Sequence, residues 1–120
     1  MGNVLIAEDS DTTRKELVNI ATELGHTVFD ADNGEEAFAI FSKEKIDAVL
    51  TDVHMPKMDG LGLCQKIFNH TNSQPPPIVV ITSEISKELR AQFVAYGAKA
   101  WIVKPYKKPL IETLLKKIIG

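Results

Sequence analysis

Cysteine is almost missing. Cys64 is the single one in 120 residues, so no internal disulfide can form and nothing calls for an oxidising compartment. An excess of one charge sign is missing too: 14 lysines and arginines against 16 acids leave a formal net charge of -2. That balance offers no electrostatic reason to expect nucleic acid or an anionic membrane as partner. No apolar run approaches the ~20 residues that a bilayer-spanning helix needs. The N-terminus enters a strand pattern directly, without the basic segment and apolar core of a secretion signal. Internal repeats, linkers and a second composition are absent as well. With 44% hydrophobic and 25% charged residues the chain has an ordinary globular balance and is long enough to bury a core. The expectation is one cytoplasmic domain over residues 1–120, with no membrane insertion and no nucleic-acid partner.

What is present is a regular alternation. Short runs rich in Val and Ile lie at residues 4–7, 27–29, 48–50, 78–81 and 101–103. Stretches of helical spacing separate them. Leu17, Ile20, Ala21 and Leu24 share one face, with Gly25 placed to end the helix. Ala37, Phe38 and Phe41 follow an Asn33-Gly34 turn, and Leu63, Cys64, Ile67 and Phe68 follow Gly60. Leu89, Phe93 and Tyr96 precede a stop at Gly97, and Leu110, Leu114, Leu115 and Ile118 close the chain. Ser73-Gln74-Pro75-Pro76-Pro77 reads as a stiff connector into the fourth strand. His26 and His70 fall in connecting segments and are expected to face solvent, and Cys64 to be a small core hydrophobe. Alternation of this kind predicts an α/β fold with right-handed crossovers and a parallel sheet, doubly wound, with helices on both faces.

In such sheets ligands bind beyond the carboxyl ends of the strands, where strand order reverses. The residues at those exits carry chemistry: Glu8 and Asp9 after the first strand, Asp52 after the third, Thr82 after the fourth, Lys104 after the fifth. Two like charges about 4 Å apart repel by roughly 4 kcal/mol at an effective dielectric near 20, so converging carboxylates call for a raised pKa or a cation. Oxygen donors select a hard ion, and Mg²⁺ uses one or two carboxylates, waters and a phosphate oxygen. A carboxylate beside such an ion can be a nucleophile that forms an aspartyl phosphate. A lysine ammonium and a hydroxyl are the groups that would hold the phosphoryl oxygens.

Taken in order, Val4-Leu5-Ile6-Ala7-Glu8-Asp9-Ser10, the segment from Asp52 through Pro56 to Gly60, Thr82-Ser83 and Lys104-Pro105-Tyr106 resemble the receiver domain of bacterial two-component response regulators over essentially the whole chain. The resemblance implies five strands in the flavodoxin-like order 2-1-3-4-5. It implies that Asp52 accepts a phosphoryl group from a sensor histidine kinase or phosphotransfer protein. Mg²⁺ would be held by Glu8, Asp9, Asp52 and the backbone carbonyl of His54. Thr82 and Lys104 would contact the phosphoryl oxygens, and the Lys104-Pro105 bond would be cis. Thr82 and Trp101 would form the switch, with tryptophan where tyrosine or phenylalanine is more usual. Tyr106 stands where phenylalanine is common and adds a polar tip. His54 and Glu84 match positions that tune phosphoryl lifetime. A downstream target would dock on the fourth helix, last strand and last helix, where Lys87, Arg90, Lys107 and Lys108 lie.

Two other classes compete. Asp9-Ser10-Asp11-Thr12-Thr13 matches the D-x-D-x-T signature of haloacid dehalogenase-type phosphatases, with Asp9 as nucleophile. That leaves the Asp52 segment unexplained, and neither an acidic pair after Lys104 nor a cap region is present. A flavin carrier is disfavoured because acids at the first strand exit would repel a flavin phosphate. Within the receiver reading, Glu8-Asp9-Ser10 and Thr13-Arg14 lean towards a chemotaxis-type regulator over a relay receiver. No effector segment follows the fifth helix, so DNA binding by this polypeptide is not expected.

Overall fold

Strand and helix alternate five times along the computed structural model, which describes residues 1–119. The elements are β1 (Asn3–Ala7), α1 (Asp11–Glu23), β2 (Thr27–Ala31), α2 (Gly34–Lys43), β3 (Ala48–Thr51), α3 (Gly60–His70), β4 (Ile78–Thr82), α4 (Lys87–Ala95), β5 (Ala98–Val103) and α5 (Lys108–Ile119). All four strand pairings are parallel, and the sheet order is β2-β1-β3-β4-β5. The predicted class and order are therefore observed. The chain winds outward from β1 in one direction to β2 and in the other through β3 to β5. Strand order reverses at the β1/β3 junction, which opens a crevice at their carboxyl ends.

The inner strands β1, β3 and β4 are buried on both faces because helices cover both. Along β1, Leu5 and Ala7 join one cluster with Ala37 and Phe41 of α2, Leu63, Cys64 and Ile67 of α3 and Phe93 of α4. Val4 and Ile6 point the other way, into a cluster with Leu17, Ile20 and Ala21 of α1 and Ile111 and Leu115 of α5. Each large aliphatic side chain buried in this way stabilises by about 1.5–3 kcal/mol. Side-chain caps start the first four helices: Ser10 accepts from Thr13 N–H, Asn33 from Glu36, Asp59 from Gly62 and Ser86 from Leu89. Gly25 at φ 93° and Gly97 at φ 105° lie just past α1 and α4, in the left-handed region expected of helix stops.

Several local expectations change. β2 runs on to Ala31, and β5 begins at Ala98, three residues before the apolar run that marked it: Ala98 and Ala100 pair with Ile78 and Val79, and the register skips Lys99 between them. The Asn33-Gly34 step lies where the bend after β2 passes into α2: Asn33 caps the helix and Gly34 is its first residue. Leu110 is 46% exposed and Ile111 is buried in its place, since α5 presents the Ile111–Leu115 row to the sheet. His70 closes α3 and is exposed as expected, though its ring also lies edge-on to Phe38 and Phe41, centroids 5.6 and 6.0 Å away. His26 is half-buried and accepts from Gly2 N–H at 3.1 Å. Both histidines thus have structural partners that spacing could not reveal. Among the described residues no helix is long and apolar enough to cross a membrane.

Candidate functional site

Four strand exits form the crevice, and backbone hydrogen bonds fix where each side chain starts. Glu8 N–H donates to Ala31 carbonyl and Asp52 N–H to Ala7 carbonyl, both at 3.0 Å, so each acid extends the ladder by one residue beyond its strand. Lys104 N–H donates to Thr82 carbonyl at 2.8 Å, which aligns the exits of β4 and β5. After Asp52 the chain must fold back at once to start α3. Gly60 permits this, because a Cβ there would collide with the Asp52 carbonyl oxygen. Gly34 serves likewise against Met58, to whose carbonyl its N–H donates at 2.9 Å.

Glu8, Asp9 and Asp52 converge, each with a carboxylate oxygen within 4.8 Å of the others. Glu8 and Asp52 are buried and Asp9 is exposed. Lys104 Nζ lies 2.8 Å from Glu8 Oε1 and 2.8 Å from Asp52 Oδ2. The remaining oxygens are also held: Ser10 N–H donates to Glu8 Oε2 at 3.1 Å and Val53 N–H to Asp52 Oδ1 at 2.6 Å. Burial pushes the Glu8 carboxyl above its usual range, opposed by the hydrogen bond from Lys104. Burial works against the Lys104 charge, but hydrogen bonds to Asp52 and Glu8 prevail and its pKa is raised. The ammonium is thus kept as a fixed cation between two buried acids.

Thr82 is fully buried, and its hydroxyl accepts from Glu84 N–H at 3.2 Å. It leaves the sheet one strand away from Asp52, since β3 and β4 are neighbours. Trp101 is half-buried, with its indole N–H donating to the Glu84 carbonyl at 3.0 Å and its ring edge-on to Phe93 at 5.4 Å. His54 Nε2 and Glu84 Oε1 meet at 2.6 Å, linking the β3–α3 and β4–α4 loops. The Glu84 carboxylate raises the His54 pKa. Lys104-Pro105 is cis, as the sequence resemblance implied. The Tyr106 hydroxyl donates to Glu16 Oε1 at 3.0 Å, and burial, reinforced by Glu16, raises its pKa.

Sequence reasoning left one contributor without a task. Arg14 in α1 donates through Nη1 to the Glu8 carbonyl at 3.0 Å, through Nε to Asp30 at 3.1 Å and through Nη2 to Asp11 at 2.6 Å. A cation six residues after a paired acid was the available signal. The same contacts remove support from the phosphatase reading. Asp11, the second acid of D-x-D-x-T, is exposed in the first turn of α1 and paired with Arg14.

The profile of the response regulator receiver domain matches residues 4–116. The chain is 34% identical over 117 residues to a probable transcriptional regulator of Cyanidium caldarium, covering 98% of this chain and 46% of that one. It is 32% identical over 119 residues to a chemotaxis protein CheY homolog of Campylobacter jejuni, covering 98% and 92%. It superposes on chemotaxis protein CheY4 of Vibrio cholerae with a TM-score of 0.90 at 30% identity, covering 98% of each chain. A five-stranded parallel sheet with an acidic, lysine-bridged crevice at its reversal point defines the class, and this chain belongs to the response regulator receiver domain family. Its function is that of a phosphoacceptor in two-component signalling. It spans about half the length of the transcriptional regulators it matches and nearly all of the chemotaxis ones.

Proposed function

We propose that Asp52 is the phosphorylated residue. The observation that carries this is the double contact of Lys104 Nζ, 2.8 Å from both Asp52 and Glu8, beside a third acid. Asp52 is the acid at the centre of the crevice, on the strand next to both β1 and β4. One of its oxygens attacks the phosphorus of a phosphohistidine; the O–P bond forms, the N–P bond breaks and the imidazole leaves. Lys104 remains beside the carboxylate to meet the incoming phosphoryl oxygens, and the Thr82 hydroxyl moves in to donate to another. Asp9, Glu8, Asp52 and the His54 backbone carbonyl are the groups that would hold Mg²⁺. Their donor set is all oxygen, and Lys104 already shows that the crevice accommodates positive charge. The ion, when bound, neutralises charge on the phosphoryl group.

Phosphorylation adds about -1.5 to -2 charges and three acceptor oxygens. Drawing Thr82 inward changes its bond with Glu84 N–H, and Glu84 carries both Trp101 and His54, so the β4–α4 loop responds as a unit. The His54–Glu84 pair stands where it would control the approach of water and so the lifetime of the phosphoryl group. The target surface is the α4–β5–α5 face. Lys87, Arg90 and Lys107 are exposed there, together with the apolar residues Val94, Val103 and Leu110; Lys108, expected on this face, turns to α1 instead, its Nζ 3.0 Å from Glu23 Oε2. The partners are a sensor histidine kinase or phosphotransfer protein upstream and a target protein downstream, in the cytoplasm. The domain phosphorylates and dephosphorylates itself and is not a turnover enzyme.

The test is intact-protein mass after incubation with acetyl phosphate and Mg²⁺. One added phosphoryl group is expected, lost in Asp52→Asn and on removal of Mg²⁺. Undiminished labelling of Asp52→Asn would place the acceptor elsewhere.

A further inference from the structure

We infer that Arg14 is a positioning residue for the cation site, acting through the Glu8-Asp9 peptide bond. The inference rests on the reading that Glu8, Asp9 and Asp52 receive Mg²⁺, and it assigns a task to a residue outside that set.

The three acids are held in different ways. Asp52 has both carboxylate oxygens tied, to Val53 N–H and to Lys104. Glu8 has both tied as well, to Lys104 and Ser10 N–H, and its own N–H is fixed on Ala31. The Asp9 carboxylate is exposed and takes no hydrogen bond among the described residues. Nothing at its own tip directs it towards the other two. Its direction comes from its backbone, and the peptide plane entering it carries the Glu8 carbonyl.

That carbonyl leaves the sheet ladder at this point. Its partner is Arg14 Nη1 at 3.0 Å. Arg14 is itself locked: Nε is on Asp30, beside the end of β2, and Nη2 is on Asp11, in the first turn of α1. Its side chain is only 15% exposed. A guanidinium presents its donors in a fixed planar fork, so three acceptors on three segments fix the plane and the plane fixes the carbonyl. Arg14 therefore sets the rotation of the Glu8-Asp9 peptide and, through it, the reach of the Asp9 carboxylate. Supports of this kind around ligating residues are the ones whose loss weakens metal binding without removing a ligand. A staple that merely joins α1 to β2 would affect stability and leave the affinity of the crevice alone.

Mg²⁺ alone, titrated by calorimetry at constant ionic strength with no phosphodonor, separates the two. For Arg14→Ala the Kd is expected to rise roughly 10-fold. Arg14→Lys is expected to show most of the same loss, because one ammonium cannot hold three acceptors in a plane. Thermal melting in the absence of Mg²⁺ runs alongside as the structural readout. An unchanged Kd in Arg14→Ala with a lowered melting temperature would make Arg14 a staple and overturn the inference. A wild-type Kd in Arg14→Lys would show that a single ammonium suffices and that the planar fork does not set the site, and would overturn it too. If Arg14→Ala does not fold, Arg14→Lys decides by the same criterion. Absence of Mg²⁺ binding by the wild type would instead sink the metal reading itself.

Discussion

The two sides of the crevice are built differently. On the β1/β3 side β3 is buried along its whole length, and α3 beneath it buries Gly60, Leu63, Cys64 and Ile67. Every carboxylate oxygen of Glu8 and Asp52 has a hydrogen-bond donor. On the β4–α4–β5 side β4 is buried as fully as β3, but α4 buries Phe93 alone, and β5 buries only Ala98 and Ile102, with a register irregularity where it joins β4. Four of the exposed large hydrophobic residues, Ile85, Val94, Val103 and Leu110, lie on this side. Phosphoryl chemistry needs fixed groups, because misplaced donors lose their value in the transition state. A reporter needs the reverse, a segment whose alternatives differ by little free energy. In the function proposed above these demands fall on opposite walls, and the hydrogen bonds of Glu84 to Thr82 and to Trp101 link the two.

Deleting the Leu63 side chain is the strongest way to attack the fixed wall. Leu63→Ala should cost about 2–5 kcal/mol, seen as a lower midpoint in urea, because a fully buried leucine leaves a cavity under β3. A loss below ~1 kcal/mol would show that this wall relaxes as easily as the other.

Lys104→Met sharpens the comparison chemically. It leaves two buried carboxylates without their cation, and stability at pH 7 should fall by about 1–3 kcal/mol. Burial already raises the Glu8 pKa, so the folded state takes up a proton more readily than the unfolded chain. Stability from that source is present at low pH and is lost as pH rises through the raised pKa. Removing Lys104 raises the pKa further, so the gap between variant and wild type should narrow as pH falls from 7 towards 5. Urea titrations at several pH values measure it; a constant gap would mean that the acids are not coupled to Lys104.

On the other wall the matching truncation, Val94→Ala, should change stability by no more than about 0.5 kcal/mol, since the side chain is 56% exposed. A larger loss would mean that α4 is packed as firmly as α3.

The smallest signal comes from Cys64. Burial pushes its thiol up to about 12, so thiolate is negligible at pH 8. A thiol reagent should leave the folded protein unmodified over hours and label it at once in urea. Fast labelling without denaturant would reveal local opening of α3.

The order of elements, the helix stops at Gly25 and Gly97 and the chemistry at each strand exit were legible along the chain, because side-chain period and turn preference are local properties. So was the site, as a set of residue types in a fixed sequence. Local pattern failed where a neighbour decided: which row of α5 faces inward, where Ala98 joins the ladder, and which aromatic rings His70 meets. The meeting of Lys104 with Glu8, 96 residues earlier, and with Asp52, 52 residues earlier, required the strand order. The grip of Arg14 on the Glu8 carbonyl and the His54–Glu84 bridge were decided there as well. Periodicity fixes which face a side chain takes within its own element, whereas a distance between elements depends on how they pack, and only the assembled sheet sets that.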